Sequence, residues 1–155
     1  MALASIGVAS TLVFTTLLAV GAIRTDPHEM IPVGGMVIGN ALNVYALAVD
    51  RMKGEVKNTL GAIEARTALG ADLYQALHPP VRHSVKAAMI PVLNNLQTVG
   101  IVFIPGVMTG MLMAGAEPLK AVSYQLVVMY MMVAVATFTA AFTAFFARKK
   151  LLGAV

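Results

Sequence analysis

Residues 121–147 read AVSYQLVVMYMMVAVATFTAAFTAFFA and contain no Asp, Glu, Lys or Arg. About 18 to 20 apolar residues are enough for a helix to cross a hydrocarbon core roughly 30 Å thick. This run is 27 residues long. It therefore predicts a membrane-spanning helix.

Three other stretches lack charged residues in the same way: 3–23, 30–49 and 87–116. The first two have the length of one span each. The third is 30 residues long and contains Pro91, Pro105 and several glycines, so we predict a span at 87–104 and a broken extension to 116. The predicted fold class is all-α, a polytopic helical membrane protein of about four transmembrane helices in one transmembrane domain, 1–155.

The composition supports lipid as the solvent for most of the chain. Hydrophobic residues make up 59% and charged residues 12% of the sequence, whereas soluble domains average about 45–50% and about 25%. The chain has no cysteine, which excludes disulfides, thiolate metal sites and a cysteine nucleophile.

Nine of the 11 Lys and Arg residues lie in segment 50–86 or after residue 147. Arg24 and Lys120 occupy the short connections between the other spans. The positive-inside rule then places segment 50–86 and both termini in the cytoplasm of a multi-pass protein of the cell (inner) membrane. Because topology accounts for the basic surplus, we expect no nucleic-acid partner.

The cytoplasmic segment has an amphipathic pattern. Apolar or small residues recur there at steps of three or four: Met52, Val56, Leu60, Ile63, Thr67, Gly70, Tyr74 and Leu77. We predict an amphipathic helix between the second and third spans, or two helices broken near Gly70, ending before Pro79 and Pro80. Such a helix can lie on the membrane surface or pack on its own helical bundle. It can equally be a docking site for a cytoplasmic partner. The periodicity is compatible with both interpretations.

Inside this segment, Glu64-Ala65-Arg66-Thr67-Ala68-Leu69-Gly70 resembles the EAA loop of ABC transporter permeases, with Arg66 in place of the second alanine. Further motifs follow one another along the chain: Gly35-Met36-x-x-Gly39-Asn40-x-x-Asn43, Leu47-Ala48-x-Asp50-Arg51, Glu64 to Ala71, Ile90-Pro91-x-x-Asn94, Val99-Gly100, Pro105-Gly106-x-Met108-Thr109-Gly110, Ala114-Gly115-x-x-Pro118 and Ala121-Val122-x-Tyr124-Gln125. Through these motifs the chain, over about residues 30–130, resembles the C-terminal part of the Fet-type iron-export permease family, which includes plant aluminium-tolerance permeases.

The resemblance implies a permease subunit of an ABC exporter, acting as a homodimer and moving metal ions such as iron. A separate cytoplasmic ABC ATPase would dock on residues 60–78, where Glu64, Ala65, Arg66 and Gly70 are the expected coupling residues. The chain itself has no Gly-x-x-x-x-Gly-Lys-Ser/Thr phosphate loop, and we expect neither a cofactor nor enzymatic activity. The alternative is a non-transporting helical membrane scaffold or a truncated permease fragment.

Several amides fall within the predicted spans. Asn40 and Asn43 share one helix face, and Asn94, Gln97 and Thr98 share another. Amides in lipid are paired or face water, so these residues either hold helices together or line a substrate pathway.

A helix break is expected at Pro105, Gly106 and Gly110, either at membrane depth or as a turn near the outer surface. The patterns Gly35-x-x-x-Gly39 and Gly106-x-x-x-Gly110 suit helix packing seams more than hinges.

The three histidines do not form a recognisable metal-binding motif. His28 stands beside Asp26 and Glu29 as a weak candidate for cation contact, and His78 and His83 flank the expected turn at the two prolines. The sequence therefore leaves the metal ligands unknown.

Overall fold

A computed structural model of the chain describes residues 2–23, 25–99 and 105–152, with only the backbone of 149–152. These ranges contain six α-helices and no strand, which confirms the all-α fold class. The helices are α1 (Ala2–Ala19), α2 (Pro27–Asn58), α3 (Leu60–Ala68), α4 (Leu73–Thr98), α5 (Gly106–Met113) and α6 (Pro118–Leu152).

Three of these helices are long and apolar enough to cross a membrane: Ala2–Ala19, Pro27–Asn58 and Pro118–Arg148. They correspond to the expected spans at 3–23, 30–49 and 121–147. The expected span at 87–104 overlaps the second half of α4, which ends at Thr98, and residues 100–104 lie outside the described ranges. Arg24, used in the charge argument, also lies outside them.

Helix α6 is the centre of the bundle, since it packs against α1, α2, α4 and α5. Helices α2, α4 and α6 all contact one another, while α3 packs on α4. Two hydrophobic clusters fill the interfaces. Val13, Val37 and Val135 belong to the cluster that joins α1, α2 and α6. Ala48, Ala88 and Ala140 belong to the one that joins α2, α4 and α6, and these small side chains allow close helix approach.

Local sequence explains the helix ends. Asp26 caps α2, because its side chain accepts a hydrogen bond from the His28 backbone N–H at 3.1 Å, and Pro27 begins the helix. Gly115 lies in the turn between α5 and α6, two residues after the end of α5, and has φ of 81°. In this turn the Ala116 N–H donates to the Met111 carbonyl, a helix stop that favours glycine.

The expected helix end before Pro79 and Pro80 is wrong, because α4 runs through both prolines and through Pro91. Proline removes one backbone donor and leaves the carbonyl four residues earlier without its helical partner. The expected turn at His78 and His83 is wrong for the same reason, since both histidines lie inside α4. Such prolines persist in a helix when other groups satisfy the freed carbonyls.

Candidate functional site

Helix α3, the turns on either side of it and the first five residues of α4 form a segment that we call the elbow and define as residues 59–77. Thr59 ends α2 and begins α3 with φ of −109° and ψ of 15°, so the helix is broken there. Gly70 ends α3 with φ of 91°. The Ala71 N–H donates to the Arg66 carbonyl and the Gly70 N–H to the Thr67 carbonyl, a pattern that favours glycine. The elbow is therefore broken at Gly70, as expected, and also at Thr59.

A small apolar cluster holds the elbow together. Ile63, Ala76 and Leu77 are buried, with Val56 and Leu73 packed against them. These residues come from α2, α3 and α4, so burial of their side chains fixes α3 against the two longer helices. The expected apolar face is realised only in part, because Leu60 and Tyr74 are exposed. The break at Thr59 interrupts the periodicity on which that face was based.

Arg66 links α3 to α4 by a hydrogen bond. Its Nη1 donates to the Ala76 carbonyl at 3.4 Å. In an uninterrupted helix that carbonyl would accept from residue 80, but Pro80 has no N–H. Arg66 therefore donates a hydrogen bond to a carbonyl that Pro80 leaves without its helical partner. This bond explains why an arginine can stand at this position of the loop.

The outer surface of the elbow is open to solvent. Glu64, Ala65, Arg66 and Gly70 are all exposed, and Leu69 at the tip is 88% exposed. Leu60 is also exposed, but nine positions separate it from Leu69, about half a turn around a helix axis. The exposed apolar groups therefore do not form one stripe, as a helix lying flat on a membrane would require.

The start of α4 also contacts the end of α6. The Tyr74 hydroxyl accepts a hydrogen bond from Arg148 Nη1 at 2.9 Å. The same guanidinium lies 5.0 Å from the centre of the Tyr74 ring, within the range of a cation–π contact. The elbow is thus tied to α2, α4 and α6 on one side of the bundle.

Within the spans, the expected polar residues separate into two groups. Asn40 Nδ2 donates to the Met132 carbonyl at 2.9 Å and so joins α2 to α6. Asn43, Asn94 and Gln97 are exposed on the surface of the described bundle. The Thr98 hydroxyl donates back to the Asn94 carbonyl at 3.0 Å. The structure therefore does not bring these five residues together at one site.

The glycine patterns do not meet another helix within the described residues. A Cβ added at Gly35, Gly39, Gly106 or Gly110 would find no atom within 4 Å. Pro105 precedes α5 with an extended backbone, Gly106 begins α5, and Gly110 lies inside it. The helix interruption among the described residues therefore falls between Thr98 and Gly106.

A cavity of about 250 Å³ lies beside this interruption. The last turns of α4 and the first turn of α5 both line it, together with one side of α6 and one residue of α2. The lining residues are Met36, Val92, Asn95, Leu96, Val99, Pro105, Gly106, Val107, Gln125, Val128, Met129, Met132 and Val133.

Sequence reasoning missed Asn95 and Gln125 as cavity residues. Asn94 was expected instead of Asn95. Both residues are exposed, but Asn95 lines the cavity and Asn94 does not. A signal for Gln125 was present, because it is the single amide side chain in the uncharged block 121–147. Among the described residues, no group of three or more His, Cys, Asp or Glu side chains could hold a metal ion.

Comparison with known proteins gives consistent matches. The uncharacterised protein family UPF0014 matches residues 1–152. ALUMINUM SENSITIVE 3 from Arabidopsis thaliana is 42% identical over 72% of this chain and 41% of its own length. The UPF0014 membrane protein STAR2 from Oryza sativa subsp. japonica is 37% identical over 88% of this chain and 48% of its own length.

The probable iron export permease protein FetB from Escherichia coli (strain K12) is 34% identical over 86% of this chain and 51% of its own length. The chain thus spans about half the length of the curated relatives it matches. No solved structure matches it significantly.

Proposed function

The chain belongs to the uncharacterised protein family UPF0014, and we propose that it is the membrane-spanning permease subunit of an ABC exporter. A partner ATPase would bind the elbow on the cytoplasmic side and supply the energy. The homologue FetB, whose name describes a probable iron export permease, supports transport as the activity. Metal ions such as iron are the proposed substrates.

The elbow is the observation that carries this proposal. Glu64, Ala65, Leu69 and Gly70 are exposed on its outer side, and its inner side is held by the Ile63 cluster. A segment with an exposed apolar tip surrounded by charges suits a groove on a protein partner.

Helix α4 offers a path from the elbow to the cavity. It is one continuous helix of 26 residues, about 39 Å long, with the Arg66 bond near one end and Asn95 at the cavity near the other. Movement of the elbow by an ATPase would move α4 as a lever. The cavity sits where α4 stops and α5 begins, so tilting α4 would change its shape.

We further propose that residues 1–155 act as one permease domain with both termini and the elbow in the cytoplasm. Two such permeases would pair in the cell (inner) membrane and bind two ATPase subunits. Asn43, Asn94 and Gln97 are exposed on the bundle surface, and amides are disfavoured against lipid. A second copy of the chain would cover them.

Co-purification with a co-expressed ABC ATPase tests the proposal. We expect the wild-type chain to retain the ATPase and Glu64→Lys and Gly70→Trp to lose it. Glu117→Lys is the matched control, because Glu117 is also exposed but lies in the α5–α6 connection at the opposite end of the bundle. Equal membrane insertion is confirmed first for all four proteins. Equal thermal stability is required of wild type, Glu64→Lys and Glu117→Lys, because any side chain at Gly70, where φ is 91°, also lowers stability.

Retention of the ATPase by all variants, or by none of the four proteins, would contradict the proposal. The second outcome would favour a helical scaffold that does not transport. The open surface over Gly35 and Gly39, where an added Cβ meets nothing, would then serve for packing against another helix.

A further inference from the structure

One exposed face of α4 changes from basic to apolar along the helix. Arg82 and Lys86 are exposed and lie about one turn apart. Ile90 and Leu93 continue the same face and are 53% and 42% exposed. Steps of four, four and three residues keep the four side chains on one side of the helix. We call these four residues the basic-apolar face.

The basic half of this face has no acidic group on its own helix, since α4 contains no Asp or Glu. Within the described residues, no hydrogen bond or ion pair engages Arg82 or Lys86. On the neighbouring helix α2, Asp50 is followed directly by Arg51, so the two charges cancel. Both cations of α4 can therefore bind an anion from outside the chain.

The packing of α2 against α4 fixes the depth of Lys86. Ala48 of α2 and Ala88 of α4 belong to one buried cluster, so they lie at a similar level in the bundle. Asp50 and Lys86 are each two residues closer to the elbow than these alanines. They therefore also lie at a similar level.

The membrane boundary falls at this level. Asp50 and Lys86 are the first charged residues beyond the uncharged blocks 30–49 and 87–116, and charges are disfavoured in hydrocarbon. Arg82 lies about 6 Å further out along α4. The headgroup layer of one leaflet is roughly 5 to 8 Å thick, so both cations lie at the level of lipid headgroups.

The apolar half of the face extends into the hydrocarbon. Ile90 and Leu93 lie about 6 and 10 Å from Lys86 along the helix axis, within the roughly 15 Å that one leaflet contributes to the core. A phospholipid beside α4 would thus have its phosphate next to the cations and its acyl chains next to the two apolar side chains.

Charge distinguishes the possible occupants of this face. A zwitterionic lipid carries its own ammonium beside the phosphate, whereas an anionic lipid leaves the phosphate charge for the protein. Each Lys or Arg near an anionic membrane surface strengthens the attraction roughly fivefold. A second copy of the chain, packed through the same face, would bring Arg82 and Lys86 against their own counterparts, and like charges oppose such pairing.

From this arrangement we propose that the basic-apolar face of α4 binds an anionic phospholipid of the cytoplasmic leaflet. Arg82 and Lys86 bind the headgroup phosphate, and Ile90 and Leu93 contact an acyl chain. The inference rests on this face and holds whether or not an ATPase docks on the elbow. If the proposed function also holds, the lipid anchors the lever helix α4 where it enters the membrane.

Tryptophan fluorescence tests the proposal, because the chain has no tryptophan and Ile90→Trp introduces a single reporter in the face. The full chain is reconstituted in phosphatidylcholine vesicles that contain increasing fractions of phosphatidylglycerol. Brominated acyl chains on one lipid or the other quench the reporter on contact, and the competition gives the relative binding constant. We expect phosphatidylglycerol to bind at least about fivefold more strongly than phosphatidylcholine.

A pair of charge variants, made in the reporter chain, locates the effect. Arg82→Gln with Lys86→Gln should reduce the preference to about one, since the headgroup loses both cations. The matched control is Lys53→Gln with Lys57→Gln, which removes the same charge from two exposed positions four residues apart on α2. The control should keep the preference. Thermal unfolding in phosphatidylcholine verifies that all the variants fold.

Equal binding of the two lipids by the reporter chain, or equal loss of preference in both double variants, would overturn the proposal. Little quenching by either lipid would also overturn it, because protein would then cover the face. ATPase co-purification on the same samples separates this inference from the proposed function. Retained ATPase without a lipid preference would reject the lipid site alone, and a lipid preference without retained ATPase would reject the transporter assignment alone.

Discussion

Asn40 is the residue whose role the structure defines most sharply among the polar groups of the spans. Its amide donates to the Met132 carbonyl on α6, whereas Asn43, three positions along, is exposed on the bundle. The two amides look equivalent in sequence because they share a helix face. Their different surroundings give a matched pair for experiment.

We predict that Asn40→Ala lowers the free energy of unfolding by about 0.6 kcal/mol and by no more than about 1.7 kcal/mol, the average and the maximum measured for interhelical hydrogen bonds in membranes. Asn43→Ala should change it by less than about 0.5 kcal/mol, as surface substitutions do. Reversible unfolding in mixed detergent micelles measures both. An equal loss of unfolding free energy in the two variants would show that the α2–α6 hydrogen bond does not cause the destabilisation.

Our second prediction concerns the hydrogen bond from Arg66 to the Ala76 carbonyl. A double-mutant cycle between Arg66 and Pro80 tests whether this bond compensates for the missing proline N–H. We expect Arg66→Met to cost about 0.5–1 kcal/mol in the wild-type background, since the side chain is exposed. In a Pro80→Ala background the new N–H can satisfy the same carbonyl, so the cost should fall towards zero. Chemical unfolding of the four proteins gives the coupling, and an unchanged cost would contradict the explanation.

At the scale of elements, the elbow depends on the backbone of Gly70, which has φ of 91°. We predict that Gly70→Ala destabilises the chain by about 1–2 kcal/mol, because a Cβ is disfavoured in this conformation. Gly61→Ala is the control inside α3, where an added Cβ meets nothing, and it should stabilise by about 0.5–1 kcal/mol. Thermal unfolding distinguishes the two variants. A similar loss of stability in both would argue against the turn geometry as its cause.

The elements were predictable to different degrees. Uncharged runs located α1, α2 and α6, since lipid requires long apolar helices, and Gly70 marked one break. Nothing local signalled the break at Thr59 or the passage of α4 through Pro79 and Pro80. That passage depends in part on Arg66, ten residues before Ala76. The hydrogen bond of Asn40 joins residues 92 positions apart, and such pairing cannot be read from helix periodicity.

At the scale of the whole molecule, the distribution of Lys and Arg predicts that the elbow and the α5–α6 turn lie on opposite sides of the membrane. The chain has no cysteine, so Thr67→Cys and Glu117→Cys each introduce a unique thiol at an exposed position. In intact cells a membrane-impermeant maleimide should label residue 117 and not residue 67. Labelling of 67 alone would reverse the proposed orientation.

We propose that the elbow is the surface on which an ATPase acts. Its most direct test is a photo-crosslinking amino acid at Leu69, with Leu119 as the control, since both leucines are strongly exposed and lie at opposite ends of the bundle. We predict a crosslink between position 69 and a co-expressed ABC ATPase, and none from position 119. A crosslink from 119 alone, or none from either position in a correctly inserted protein, would contradict it.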